Sequence, residues 1–136
     1  MLLSNIVRGS RGKREHFPAL TIIAVSHPTK ELLKMIHVIA VITTKPGLRE
    51  EVLRAFRANV PNVLQERGCI EYGAAVDADN ALVFQTKYGP DTFTVIEKWD
   101  SMAALKDHAA APHMAAYGAK VKEMLASRVI HILSPA

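Results

Sequence analysis

"MIHVIAVITTKPGLREEVLRAFRANVPNVLQERGCIEYGAAV", residues 35 to 76, contains the changes of period on which the fold turns. Its first ten residues are largely β-branched and nearly all apolar, the pattern of a central strand buried on both faces. Lys45-Pro46-Gly47 ends that run. Beyond it Leu48, Val52, Leu53, Phe56, Val60, Val63 and Leu64 recur at helical spacing, with Arg49, Glu50, Glu51, Arg54 and Arg57 on the other side, so an amphipathic helix is predicted. Pro61 removes one backbone donor and is expected to kink or split the last turn, while Gly68 is placed to stop the helix. In "CIEYGAAV" the residues Ile70, Tyr72, Ala74 and Val76 fall on one face, as in a half-buried strand, with Gly73 as a candidate bulge.

Toward the C-terminus, residues 77 to 92 begin and end in turn chemistry and read as a long excursion between strands. "FTVIEKW" is the next strand. Ser101 can cap a short helix whose Leu105 and His108 share the inward side, and Pro112 suits the first position of a further helix. There Met114, Tyr117, Gly118, Val121 and Leu125 form one stripe, and "SRVIHIL" supplies a last strand. The order β-α-β-β-α-β is the α+β, ferredoxin-like arrangement of a four-stranded antiparallel sheet with helices on one face. Its second face needs a cover, and an identical sheet from a second copy is the simplest one.

Toward the N-terminus the composition changes. Residues 1 to 34 carry six Lys/Arg against two Glu, and residues 35 to 136 carry eleven of each sign, so the whole net charge of +4 lies in an N-terminal extension. The folded domain, expected over 35 to 136, is therefore electrically balanced and gives no indication of nucleic-acid binding. Within the extension "LTIIAV", residues 20 to 25, has strand character. Its apolar run is short for a secretory segment, Glu15 and Pro18 interrupt the boundary, and a membrane span would need roughly 18 to 20 apolar residues. No membrane partner is expected. The single cysteine, Cys69, rules out an intramolecular disulfide framework and fits a reducing, cytoplasmic setting.

"GCIEY" at 68 to 72, "EKW" at 97 to 99 and the H-x4-H of "HAAAPH" at 108 to 113 make residues 35 to 136, about three quarters of the 136-residue chain, resemble the antibiotic biosynthesis monooxygenase family. The resemblance implies a homodimeric α/β barrel without a cofactor, which uses O2 to oxidise a quinol-like or polyketide-like aromatic. A non-catalytic, stress-associated dimer that holds a small apolar ligand is the alternative. The excursion at 77 to 92 is longer than the connection expected in such proteins, and the extension has no counterpart. A haem-degrading branch of similar proteins carries Asn on the first strand; here that strand reads "HVIAVITT".

Glu97 and Trp99, two apart on a strand, leave the same face. Facing a cavity, Trp99 would be an apolar wall and Glu97 a hydrogen-bond acceptor; otherwise Trp99 is a core aromatic and Glu97 a sheet-edge or interface ion pair. His108 and His113 are the candidate bases. Five residues on one helix leaves about 140° between them, and Pro112 interrupts the helix, so no metal site is expected. His113 falls in a first helical turn, where the dipole favours the neutral, proton-accepting ring. Either histidine can alternatively satisfy local backbone groups. Tyr72 and Tyr117 either contact a substrate or fill the core, and Cys69 reads as a small buried residue. G-x-G-x-x-G, Walker A, C-x-x-C-H and G-x-S-x-G motifs are absent, so no nucleotide, haem or acyl chemistry is called for.

Overall fold

The computed structural model describes residues 29–79 and 81–136. Most of the expected extension, with its "LTIIAV" segment, lies outside the described residues; its end forms a 3₁₀ turn at Leu32–Lys34. The domain then runs β1 (Ile36–Thr44), α1 (Arg49–Leu64), β2 (Cys69–Ala75), β3 (Thr92–Trp99), α2 (Met102–Ala109), α3 (Pro112–Val121), a 3₁₀ turn (Lys122–Met124) and β4 (Leu125–Leu133). All strand pairs are antiparallel, in the order β2-β3-β1-β4. This is the α+β, ferredoxin-like architecture, with the second helical stretch divided in two.

The core lies between the sheet and the helices. Val38 and Ile42 of β1, Phe93, Val95 and Trp99 of β3, Val52, Leu53, Phe56 and Val63 of α1, Leu105 of α2 and Val121 of α3 are buried together. The β1 strand departs from its expected burial on two faces. Ile36, Val38, Ala40, Ile42 and Thr44 are buried, whereas Ile39 on the other face is 37% exposed. The reason is physical: the helices of the described residues lie on one side of the sheet, so a strand that is apolar on both faces is covered on one.

Two local expectations are also corrected. The irregularity of β2 falls between Cys69 and Glu71, not at Gly73, and throws Ile70 outward to 51% exposure. An edge strand has one partner, so an extra residue disturbs only one ladder. Of the expected face only Tyr72 is buried; Ala74 and Val76 are exposed. Pro61 does not split α1, which continues through Leu64. The acceptor it leaves unpaired belongs to Arg57, on the exposed side of the helix, where water can satisfy it.

The excursion after β2 holds no helix or strand among the described residues. Its neck is closed by Asp77, whose carboxylate accepts from the Tyr88 and Gly89 amides at 2.9 and 2.8 Å. The Arg49 guanidinium donates to the Gly89 carbonyl at 3.3 Å, tying the neck to α1. Among the described residues no helix is long and apolar enough to cross a membrane.

Candidate active site

The turn after α1 delivers the residue around which the site is built. Gly68 has φ +86°, a conformation side chains rarely adopt, and a Cβ there would stand 2.5 Å from the Ala104 Cβ of α2 and from Asp100 Oδ1. Only glycine lets the turn pass so close to α2. The Asp100 amide donates to the Gly68 carbonyl at 2.9 Å, and Ser101 Oγ accepts from the Ala104 amide at 3.1 Å to cap α2. With both helix ends fixed, Glu66 is held over the break between α2 and α3.

That break brings together two residues that a continuous helix would separate. The Glu66 carboxylate lies 3.1 and 3.2 Å from His108 Nδ1, and its Oε1 lies 2.7 Å from His113 Nε2. The interruption at Pro112 lets α3 restart at a new angle, so that both rings meet one carboxylate. His108 is buried, as its place beside Leu105 implied, and His113 keeps 26% of its side chain exposed. His113 Nδ1 is buried without a hydrogen-bond partner.

Behind His108 lies the rest of the polar core. Its ring is 4.7 Å from Trp99 and 5.4 Å from Tyr72 between centroids. The Trp99 indole N–H donates to Glu97 Oε2 at 2.8 Å, and Glu97 pairs across the sheet with Tyr72 and Val38. Glu97 is thus not at a sheet edge; it is a buried acceptor on an inner strand, without an ion pair among the described residues. Trp99 is fully buried in the core.

The cavity beside this cluster opens between α1 and α3. It measures about 250 Å³ and is lined by His113, Tyr117, Asn59, Asn62 and Lys120 over a floor of alanines. Asn62 Nδ2 donates to Asn59 Oδ1 at 3.1 Å, and the two amides face His113 and Tyr117 across the groove. Tyr72 lines a separate cleft with Phe56, Arg57 and Val60, where Phe56 stacks on its ring at 5.1 Å. The sequence-predicted residues therefore divide: His113 and Tyr117 share a cavity, His108, Trp99 and Glu97 lie sealed behind it, and Tyr72 faces the other side of Phe56.

Electrostatics narrows which groups can accept a proton. Burial pushes the Tyr72 phenol far above its usual range and the Tyr117 phenol up to about 12, so both are hydrogen-bond donors at neutral pH. Burial, together with Glu66 and Glu97, also raises the Cys69 thiol. Desolvation raises Glu97, partly offset by the Trp99 hydrogen bond.

Glu66, Asn59 and Asn62 were not singled out from the sequence. Two of the three left a signal there. Asn59 occupies a buried position next to the apolar stripe of α1, and Glu66 puts negative charge at a helix C-terminus, where the dipole opposes it.

A split ferredoxin-like sheet with two imidazoles and a carboxylate gathered beneath its helices defines a small α+β protein with a cluster of titratable groups in its helical layer. A family model described as "Antibiotic biosynthesis monooxygenase" matches residues 35–120, and the chain belongs to that family. It is 43% identical over 103 residues to "Probable quinol monooxygenase YgiN" of Escherichia coli K12, covering 74% of this chain and 98% of that protein. Among solved structures it is similar to PA3566 from Pseudomonas aeruginosa, with TM-score 0.64, 27% identity and coverage of 76% and 95% of the two chains. Rv0793 from Mycobacterium tuberculosis gives TM-score 0.62 and 25% identity, with coverage of 75% and 95%. The function is accordingly of the monooxygenase, hence oxidoreductase, type.

Proposed function

We propose that the chain is a homodimeric, cofactor-independent monooxygenase of quinol-like or polyketide-like aromatics, with His113 as the base that meets the substrate and His108 as its buried companion. The observation that carries this reading is a single one: His113 sits in the wall of a cavity with one ring nitrogen against a carboxylate and the other buried without a partner. A buried acceptor without a donor costs about 1–3 kcal/mol, which a substrate hydroxyl can relieve. Nδ1 is closed to solvent in the resting fold, so the ring must turn toward the groove to receive that hydroxyl.

Proton removal leaves an electron-rich anion that reduces O2. One oxygen atom enters a substrate carbon and the other leaves as water, with the substrate supplying the electrons. The Tyr117 hydroxyl and the Asn59 and Asn62 amides supply hydrogen bonds to substrate oxygens. Trp99, Tyr72 and Glu97 shape the site from behind: Trp99 backs the His108 ring, and Glu97 holds the indole. The second copy covers the open sheet face, where Ile39, Ile96, Val129 and Leu133 are exposed.

The test is oxygen uptake by metal-free protein with a panel of quinols and anthrones. Turnover above autoxidation is expected, with a loss of about 10²–10⁴-fold in His113→Ala. Saturable aromatic binding without turnover would assign the non-catalytic, ligand-holding role instead.

A further inference from the structure

We propose that Glu66 is a positioning residue that sets the tautomers of both His108 and His113 at once. This rests on the reading of His113 as base, but its physical core does not depend on turnover. An ionised carboxylate only accepts hydrogen bonds, and its two oxygens offer about four lone-pair sites. Lone pairs of His108 Nδ1 at 3.1 Å and His113 Nε2 at 2.7 Å would repel it, so each facing nitrogen carries the proton. His108 is thereby an Nδ1–H ring with its lone pair on Nε2. His113 is the opposite tautomer, an Nε2–H ring with its lone pair on Nδ1.

The geometry leaves Glu66 few alternatives. Its side chain is 16% exposed, so it is largely withdrawn from water. It stands just beyond the C-terminus of α1, where the helix carbonyls disfavour negative charge. Two imidazole N–H groups offset both costs, and they are the groups against which it sits. The Glu66 amide bonds to the Val63 carbonyl at 3.0 Å, and its own carbonyl accepts from the Cys69 amide at 3.2 Å. The backbone that carries the carboxylate is thus held on both sides, next to the close approach at Gly68.

The same contact defines what happens when His113 takes a proton. The imidazolium forms with its Nε2–H beside a carboxylate, which stabilises the charge as it develops. His108, held by the same oxygens, keeps the carboxylate from turning away.

Nitrogen-15 NMR of the histidine rings in the full chain reads the tautomers directly. Among the six histidine rings of the wild type, that of His108 is expected to be Nδ1–H and that of His113 Nε2–H, each assigned by His108→Gln and His113→Gln. Glu66→Leu keeps the bulk and removes both acceptors, so the Nδ1–H of His108 loses the partner that holds it and that ring is expected to change tautomer. In the same variant kcat on an active quinol is expected to fall about a hundredfold or more with little change in KM. Unchanged ring tautomers in Glu66→Leu would overturn the proposal. A lower Tm with wild-type tautomers and kcat would make Glu66 merely structural, which also overturns it. If the wild type turns over no aromatic, the catalytic reading fails, while the tautomer exchange still decides the role of Glu66.

Discussion

On the helix-covered face of the sheet Val38, Phe93, Val95 and Trp99 are buried, whereas on the opposite face Ile39, Ile96 and Val129 keep 37%, 42% and 49% of their surface exposed. The same strands supply both sets, with the same kinds of side chain. What differs is what lies on top. Three helices cover one face over β3 and β1, leaving Ile130 and Ile132 of β4 exposed; the other carries enough apolar surface to be worth burying and nothing among the described residues to bury it.

Deleting a large side chain from each face is the strongest way to break this contrast. Trp99→Ala removes a fully buried indole and the only hydrogen bond it makes, to Glu97, and is expected to cost about 3–5 kcal/mol in chemical denaturation. Ile96→Ala, on the same strand but the open face, should change the stability of the isolated chain by no more than about 0.5 kcal/mol. Its effect should fall on association, as a shift from dimer to monomer in sedimentation at micromolar concentration. Equal losses of chain stability at the two positions would erase the distinction between the faces.

Glu97 sharpens the comparison because it is a buried titratable residue on the helix-covered face. Its carboxyl is raised above the ordinary 4.5, chiefly by burial, so between 4.5 and its higher folded value the native state binds more protons than the unfolded chain. Stability must therefore fall as pH rises through that interval. Glu97→Gln keeps an acceptor for the Trp99 indole and removes the charge. It is expected to flatten this slope and to be no less stable than the wild type at neutral pH, as read from unfolding curves across pH.

The helix-covered face was the more legible in the sequence. The strand and helix periods of residues 35–76, the cap at Ser101 and Pro112 at a helix start each follow from local chemistry, and the architecture follows from their order. The cover of the open face was not legible on β1, since a β-branched run is the same whether a helix, a second copy or water lies against it. At the site, the inward side of His108 was readable from its spacing with Leu105. The meeting of His108, His113 and Glu66 was not, because it depends on the angle at which α3 restarts after Pro112 and on an approach at Gly68 that spans 36 residues to Ala104. Spacing along one helix predicts separation only while the helix continues.

The smallest effect is expected in the excursion, which belongs to neither face and has little packing to lose. Leu82, Val83 and Phe84 are all exposed, so the neck at Asp77 rather than any core sets its shape. The Gly89 and Tyr88 amides hold the Asp77 carboxyl below its ordinary 3.8. A lowered folded value means that the neck is supported above 3.8 and loses that support as pH falls through the folded value. Asp77→Asn keeps one acceptor but no charge, so hydrogen exchange at the Tyr88 and Gly89 amides should quicken while Tm stays unchanged within error. A fall in Tm matching that of a core substitution would mean that the excursion folds as one unit with the sheet, and the contrast would then lie between sheet faces alone.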